Sequence, residues 1–195
     1  MASPLFCFSC NSIQRLNAQP NFFEMFSLPY TYELDLKQLE ERYEQLVIEL
    51  HPDFYAHSTG IDKRQSQESS AWLNQAYTAL KEPLSRAEYL LELLTHGKKF
   101  DQRRLPDGFL EEVFVLQESL EDLLEDAGDA ASVERFRLDI VQRLEQLQTQ
   151  ISEQFSQIEQ DTADWDESLE AIQLNLNVGR YLQRLLDRIS RSQQT

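Results

Sequence analysis

The sequence predicts an all-α protein, an antiparallel helical hairpin followed by a three-helix bundle. Three observations carry this. Glycine and proline are scarce, five and six in 195 residues, which leaves little room for a turn-rich β fold. Apolar residues recur at the helical period along most of the chain. No segment reads as a strand.

Residues 1–20 show no helical period and read as a flexible arm. It holds both cysteines of the chain, Cys7 and Cys10. Their spacing is half of a structural zinc site, since tetrahedral zinc takes four ligands. Three readings stay open: an inert or vestigial pair, a zinc site completed by a second chain, and a redox pair. Two cysteines make no disulfide framework, which fits a reducing compartment.

Asn21 can cap a short helix from Phe22 to Leu28, ended by Pro29. Asp35 opens the next, with Gln38 as its capping-box partner. Leu36, Leu39, Tyr43, Leu46, Val47 and Leu50 then form one buried stripe. Pro52 lacks an N–H and disfavours helical geometry at His51, so this helix stops before His51-Pro52-Asp53. After a polar stretch, Asp62 can cap a helix to about Lys81, with Trp72, Leu73, Ala76, Tyr77 and Leu80 on its apolar side. The small Ser66, Ser69 and Ser70 would let the two helices approach closely. The triplet therefore sits exposed at the tip of a hairpin. Pro83 fits the first turn of a further helix, which Gly97 ends.

Residues 97–108 are basic and polar with Gly and Pro, and read as a linker. Beyond it, Leu110, Val113, Phe114, Leu120, Leu123 and Leu124 mark a helix that breaks at Gly128. From Val133 to Ile158 apolar residues recur at intervals of three and four, a bundle seam. Asp164 with Glu167 resembles a capping box for the last helix, from Leu169 to Ile189. Gly179 inside it suggests a close helix crossing, since glycine there costs roughly 1 kcal/mol against alanine. Short turns imply an antiparallel three-helix bundle over 109–195.

Charge narrows the function. The net charge is −16, and residues 109–170 hold 18 acids against 3 bases. A surface for nucleic-acid phosphates is excluded there. Solvated helix faces account for the acids, and they would also steer a basic partner. No stretch nears the ~18 uninterrupted apolar residues of a membrane span. Residues 1–20 lack a secretory signal and are poor in arginine. The expected setting is the cytoplasm, or the mitochondrial matrix in a eukaryote.

His51, Asp53, His57 and Asp62 could be read as ligands of a metal-dependent hydrolase. Pro52 and the loop after it supply no fixed geometry, and no second-shell partner is evident. There is no glycine-rich phosphate loop, nucleophile elbow or catalytic Cys–His pair. His57 and His96 read as solvated loop residues, and the chain as no enzyme.

A helix, His-Pro-Asp, helix arrangement resembles the J domain. The likeness extends to Asn21-Phe22-Phe23-Glu24-Met25-Phe26, to Leu73 through Leu80, and to Pro83-Leu84-Ser85-Arg86-Ala87-Glu88-Tyr89-Leu90-Leu91. That set is similar to the HscB-type co-chaperones of iron–sulfur cluster assembly. The acidic three-helix tail with Asp164-Trp165-Asp166 resembles them too, as does the Cys7–Cys10 extension, although relatives usually carry two such pairs. The resemblance covers about residues 21–190 and places a J domain over 21–96. It implies that His51, Pro52 and Asp53, with Arg42, engage an Hsp70-type ATPase. It implies that the bundle holds an iron–sulfur scaffold protein through exposed apolar residues, here Leu110 and Phe114, with Glu111 between them. By pattern alone Leu110 and Phe114 fit a bundle core equally well. No cofactor is implied beyond zinc at Cys7 and Cys10. Three departures stand out. Phe54 replaces a frequent lysine. The helix before the triplet is acidic, with Ile48 at a position that is often basic. Asn175 and Asn177 fall near the usual aromatic contact of the last helix, where Leu176 or Val178 would substitute.

Overall fold

The computed structural model describes residues 3–7, 9–10, 12–14, 20–55, 60–96, 98, 100–125, 130–160 and 165–192. They form seven α-helices and no named strand. Two compact units divide at Leu90 and Leu91.

In the first unit, the described residues of the 1–20 segment bond to one another. Phe6 and Ile13 form an antiparallel bridge. Cys7 N donates to Ser12 O at 2.8 Å and Gln14 N to Leu5 O at 2.8 Å. Leu5 is completely buried, so apolar burial as well as backbone pairing holds the segment.

Helix α1 spans Phe22–Met25, and Asn21 accepts from Phe23 N and Glu24 N as expected. It ends three residues short of Leu28, in a Schellman motif. Leu28 N reaches Phe23 O and Ser27 N reaches Glu24 O, both at 2.9 Å. Ser27 takes the left-handed position (φ 52) that glycine usually fills.

Helix α2 spans Leu36–Glu49, with Asp35 accepting from Lys37 N and Gln38 N. Leu39, Leu46 and Leu50 are buried, but Leu36 and Val47 are 47% and 38% exposed. The expected stripe is therefore narrower than drawn. Helix α3 spans Gly60–Lys81, so it starts two residues before the expected cap Asp62. Helices α2 and α3 run antiparallel. Tyr43 stacks on Tyr77 with ring centres 4.0 Å apart, and seven residues later Leu50 O accepts from Ser66 Oγ at 2.6 Å. Ser66 and Ser69 are buried, the close approach that their size predicts.

Helix α4, Pro83–Leu94, opens at Pro83 as expected. It stops at Leu94, with His96 in the left-handed region (φ 50); Gly97 lies outside the described residues. Arg86 and Tyr89 secure this end of the unit. Arg86 is buried and donates to Tyr32 O, Leu80 O and Lys81 O. Burial lowers its pKa. Tyr89 Oη accepts from Phe22 N at 3.0 Å, and its ring stacks on Phe22 at 4.2 Å.

The second unit contains α5 (Phe109–Glu125), α6 (Ala130–Gln160) and α7 (Trp165–Ser192). Helix α6 packs along α7 and against α5. Glu121 pairs with Arg188, and Tyr181 Oη donates to Val113 O at 3.2 Å, which joins α5 to α7. The seam from Val133 to Ile158 is buried at Val133, Ile140, Leu144, Leu147, Ile151, Phe155 and Ile158. Gly179 is buried within α7. Gly128 and Asp164 lie outside the described residues.

Described residues of the expected linker bond to α7. Asn177, 3% exposed, donates to Asp101 O at 3.0 Å and Arg104 O at 2.6 Å. Lys98 pairs with Asp166 at 2.9 Å, and Arg104 pairs with Glu170. These bonds attach Lys98, Asp101 and Arg104 to α7.

Candidate functional site at the hairpin tip

The last carbonyls of a helix lack partners within it. Here Ile48 O accepts from His51 N at 3.1 Å, Glu49 O from Tyr55 Oη at 3.2 Å and Leu50 O from Ser66 Oγ at 2.6 Å. Every carbonyl from 48 to 50 is thus satisfied from behind. Pro52–Tyr55 make a single 3-10 turn, closed by Phe54 N donating to His51 O at 3.0 Å. The backbone of the triplet is held while its polar side chains stay in solvent. The side chains of His51 and Asp53 are 52% and 88% exposed, with His51 Nδ1 3.6 Å from the Asp53 carboxylate. Asp53 N donates to His51 Nδ1 at 3.3 Å.

Arg42 does not join the triplet. Its guanidinium donates to Phe26 O and to Ser27 O at 2.6 Å, the carbonyls left over at the C-terminal end of α1. Its position secures α1 to α2.

On the bundle, Leu110 and Phe114 lie one turn apart on α5 and are 61% and 71% exposed. They are surface, not core. Val115 and Leu138 are also exposed, at 61% and 52%. Leu176 is completely buried and Val178 is 8% exposed. The expectation that Leu176 offers a contact on the last helix is corrected: it faces the core. Val178 keeps a sliver of surface in a cleft of about 170 Å³ that it shares with Phe109, Leu182 and the Glu112–Arg143 ion pair. The two asparagines have other work. Asn175 donates to Gln154 on α6, and Asn177 holds residues 101–104.

Ser9 and Cys10 lie in a turn. Cys7 Sγ lies 3.1 Å from Ser9 Oγ, and Cys10 Sγ 3.0 Å from Ser12 Oγ. The Ser9 hydroxyl, then backbone amides and Cys10, bring the Cys7 thiol down to about 6.

The described residues contain no group of three or more His, Cys, Asp or Glu placed to hold a metal. His57, one of the residues in the hydrolase reading, lies outside them. No helix among them is long and apolar enough to cross a membrane.

Comparison with known proteins agrees with this geometry. A family model described as the HSCB C-terminal oligomerisation domain matches residues 105–190. A co-chaperone protein HscB homolog of Photobacterium profundum is 34% identical over 153 residues, 78% of this chain and 86% of that protein. Another, from Aeromonas hydrophila, is 37% identical over 121 residues, 62% of this chain and 70% of that one. The crystal structure of human co-chaperone protein HscB matches with a TM-score of 0.81 at 25% identity, over 97% of this chain and 90% of that one. Chaperone HscB from Vibrio cholerae matches at 0.73 and 29% identity, over 90% and 98%. With the fold, the capped His-Pro-Asp tip and these likenesses together, the chain belongs to the HscB family of co-chaperones.

Proposed function

We propose that this chain performs its family's co-chaperone role in iron–sulfur cluster assembly through two surfaces and without enzymatic activity of its own. His51, Pro52 and Asp53 engage an Hsp70-type ATPase and stimulate its hydrolysis of ATP. Leu110 and Phe114 on α5 hold the iron–sulfur scaffold protein that is delivered to that ATPase. The observation that carries the reading is the tip. Bonds to the carbonyls of residues 48–50 hold the end of α2, and Phe54 N donating to His51 O closes the turn of the tip, while the polar side chains of His51 and Asp53 face solvent. Side chains held in that way recognise another protein. The tip supplies no group to ATP; it acts by binding a hydrolysis-competent state of the ATPase more tightly than the resting one. Carrying the scaffold on the same chain raises its local concentration at the ATPase.

Phosphate release from a mixture of the chain, its cognate ATPase and the scaffold tests this. His51→Gln abolishes stimulation; stimulation that survives it refutes the reading. Leu110→Ala with Phe114→Ala abolishes scaffold binding, and unchanged binding would assign the chain another client.

A second proposal concerns Cys7 and Cys10. Two thiols, one already lowered to about 6, suit a thiophilic ion but supply half of a tetrahedral zinc shell. Zinc is bound here only when a second chain completes the shell. One zinc per chain in a monomer would refute this.

A further inference from the structure

Leu110, Phe114, Gln117 and Glu121 recur at intervals of four, three and four, so they form one ridge along α5. That ridge borders α7. Tyr181 Oη donates to Val113 O at 3.2 Å, the Tyr181 ring meets the Phe109 ring edge-on with centres 6.0 Å apart, and Arg188 pairs with Glu121 at 3.3 Å. The two helices therefore run parallel here. Counted back from the Glu121–Arg188 pair, Phe114 lies roughly 10 Å down α5 and Arg184 roughly 6 Å down α7. The exposed Leu110 and Phe114 thus share their border with the edge of α7 that carries Tyr181, Arg184 and Arg188.

The charge of the bundle changes sign at this edge. Residues 109–170 hold 18 acids and 3 bases, whereas residues 171–195 hold four arginines and one acid, Asp187. Glu121 already answers Arg188. Arg184 is exposed, and its guanidinium carbon lies 5.9 Å from the centre of the neutral Tyr181 ring. At about 100° per residue, Tyr181 and Asp187 lie about 60° to either side of Arg184, so Asp187 is on the side away from α5. Glu118 and Glu111, both exposed, lie about 40–60° round α5 from Phe114, away from α7. The apolar pair therefore has an acidic edge on α5 and a basic edge on α7.

We propose that Arg184 is a specificity-determining residue of the scaffold contact, and that the scaffold surface which fits has an apolar centre over Leu110 and Phe114 and a carboxylate opposite Arg184. The proposal rests on Leu110 and Phe114 being the scaffold contact, and it names the chemistry of that contact. A guanidinium is weakly hydrated, lies well on aromatic surface and forks onto a carboxylate. A partner without that carboxylate would cover the charge and leave it unanswered, which selects against such a partner.

The test is a calorimetric titration of the whole chain with the iron–sulfur scaffold protein of the same cell. Arg184→Ala raises Kd about threefold and Arg184→Glu about tenfold, while Arg184→Lys, which keeps the charge, stays within about twofold. Between about 50 and 300 mM salt the Kd of Arg184→Ala rises less steeply than that of the wild type, a change that a merely structural role would not produce. Lys37→Glu makes the same charge reversal on α2 and stays within about twofold. Circular dichroism checks that the variants keep their helices. Leu110→Ala with Phe114→Ala separates the two readings. If that pair abolishes binding while Arg184→Glu stays within about twofold or binds more tightly, the carboxylate is refuted and the scaffold contact stands. If the pair leaves binding unchanged, both fall. A Lys37→Glu variant that weakens binding as much as Arg184→Glu would trace the effect to net charge and also overturn the proposal.

Discussion

Replacing Arg86 tests what holds the first unit together. Arg86 is 6% exposed, and its guanidinium donates to Tyr32 O at 2.8 Å, Leu80 O at 2.6 Å and Lys81 O at 3.3 Å. Leu80 and Lys81 end α3, where unpaired carbonyls and the helix dipole both favour a cation. The Tyr32 ring centre lies 5.0 Å from the guanidinium carbon and adds a cation–π contact. Hydrogen bonds from a charged donor contribute roughly 1.5–3 kcal/mol each. They do not add, and burying the guanidinium opposes them, the same desolvation that lowers its pKa. Arg86→Ala should therefore cost about 3 kcal/mol, near the low end of the ~3–5 kcal/mol for stripping one member from a buried charged contact. For a unit the size of residues 1–90, each kcal/mol moves Tm by roughly 4–8 °C. The expected loss is about 12–24 °C. The chain has two tryptophans, Trp72 in α3 and Trp165 at the start of α7. In a Trp165→Phe background, Trp72 fluorescence during heating follows α3 alone. Arg86→Lys keeps the charge but loses the fork, so it should recover less than half of the difference. A loss below about 4 °C, or full recovery with lysine, would refute the assignment.

Three further outcomes follow from the same contacts. Asn177→Ala should free residues 98–104 from α7, and trypsin should then cut after Lys98, Arg103 and Arg104 faster, as peptide mass spectrometry can follow; an unchanged cutting rate would show that Asn177 does not hold them. Cys7, brought down to about 6 chiefly by the Ser9 hydroxyl, should react as a thiolate at lower pH than an ordinary cysteine. Its alkylation rate should reach half its maximum near pH 6, and Ser9→Ala should move that midpoint upward; a wild-type midpoint near pH 8 or above would contradict this. Tyr30 is pushed up to about 12, and Tyr32 and Tyr181 are also raised, with burial the largest cause in each. The folded chain then keeps protons that the unfolded chain, titrating near 10, has released. That stability is complete below about pH 10 and is lost as pH rises through the folded values, so Tm should fall between about pH 10 and 12. A flat Tm would contradict it.

Helix starts were legible wherever a side chain did the capping. Asn21, Asp35 and Pro83 each do in the structure what their chemistry predicts. Ends and loops were harder. Helix α1 ends in a Schellman turn with Ser27, not glycine, in the left-handed position, so the signal that marks such a stop was missing. Residues 98–104 look like a linker in composition. What attaches them is a buried asparagine 73 residues after Arg104, a long-range bond that no local pattern carries.

The apolar stripe of α2 misled for a geometric reason. Leu39, Leu46 and Leu50 point within about 40° of one another, whereas Leu36 and Val47 sit about 60–80° around from their centre. A wide apolar face was expected to be one core. In the structure the trio is core, Tyr43 is half-buried, and Leu36 and Val47 are on the surface. Ile48 lies further round again, where nothing in the hairpin covers it. If the exposed half of that face served only as the margin of the core, a polar residue at 47 or 48 would cost the fold nothing and stimulation nothing. If the proposed ATPase contact extends from the tip onto this face, the two separate: Ile48→Asp should leave Tm within about 2 °C, as an exposed change does, and still raise the half-stimulating concentration about tenfold. A large fall in Tm with stimulation retained would return Ile48 to the core.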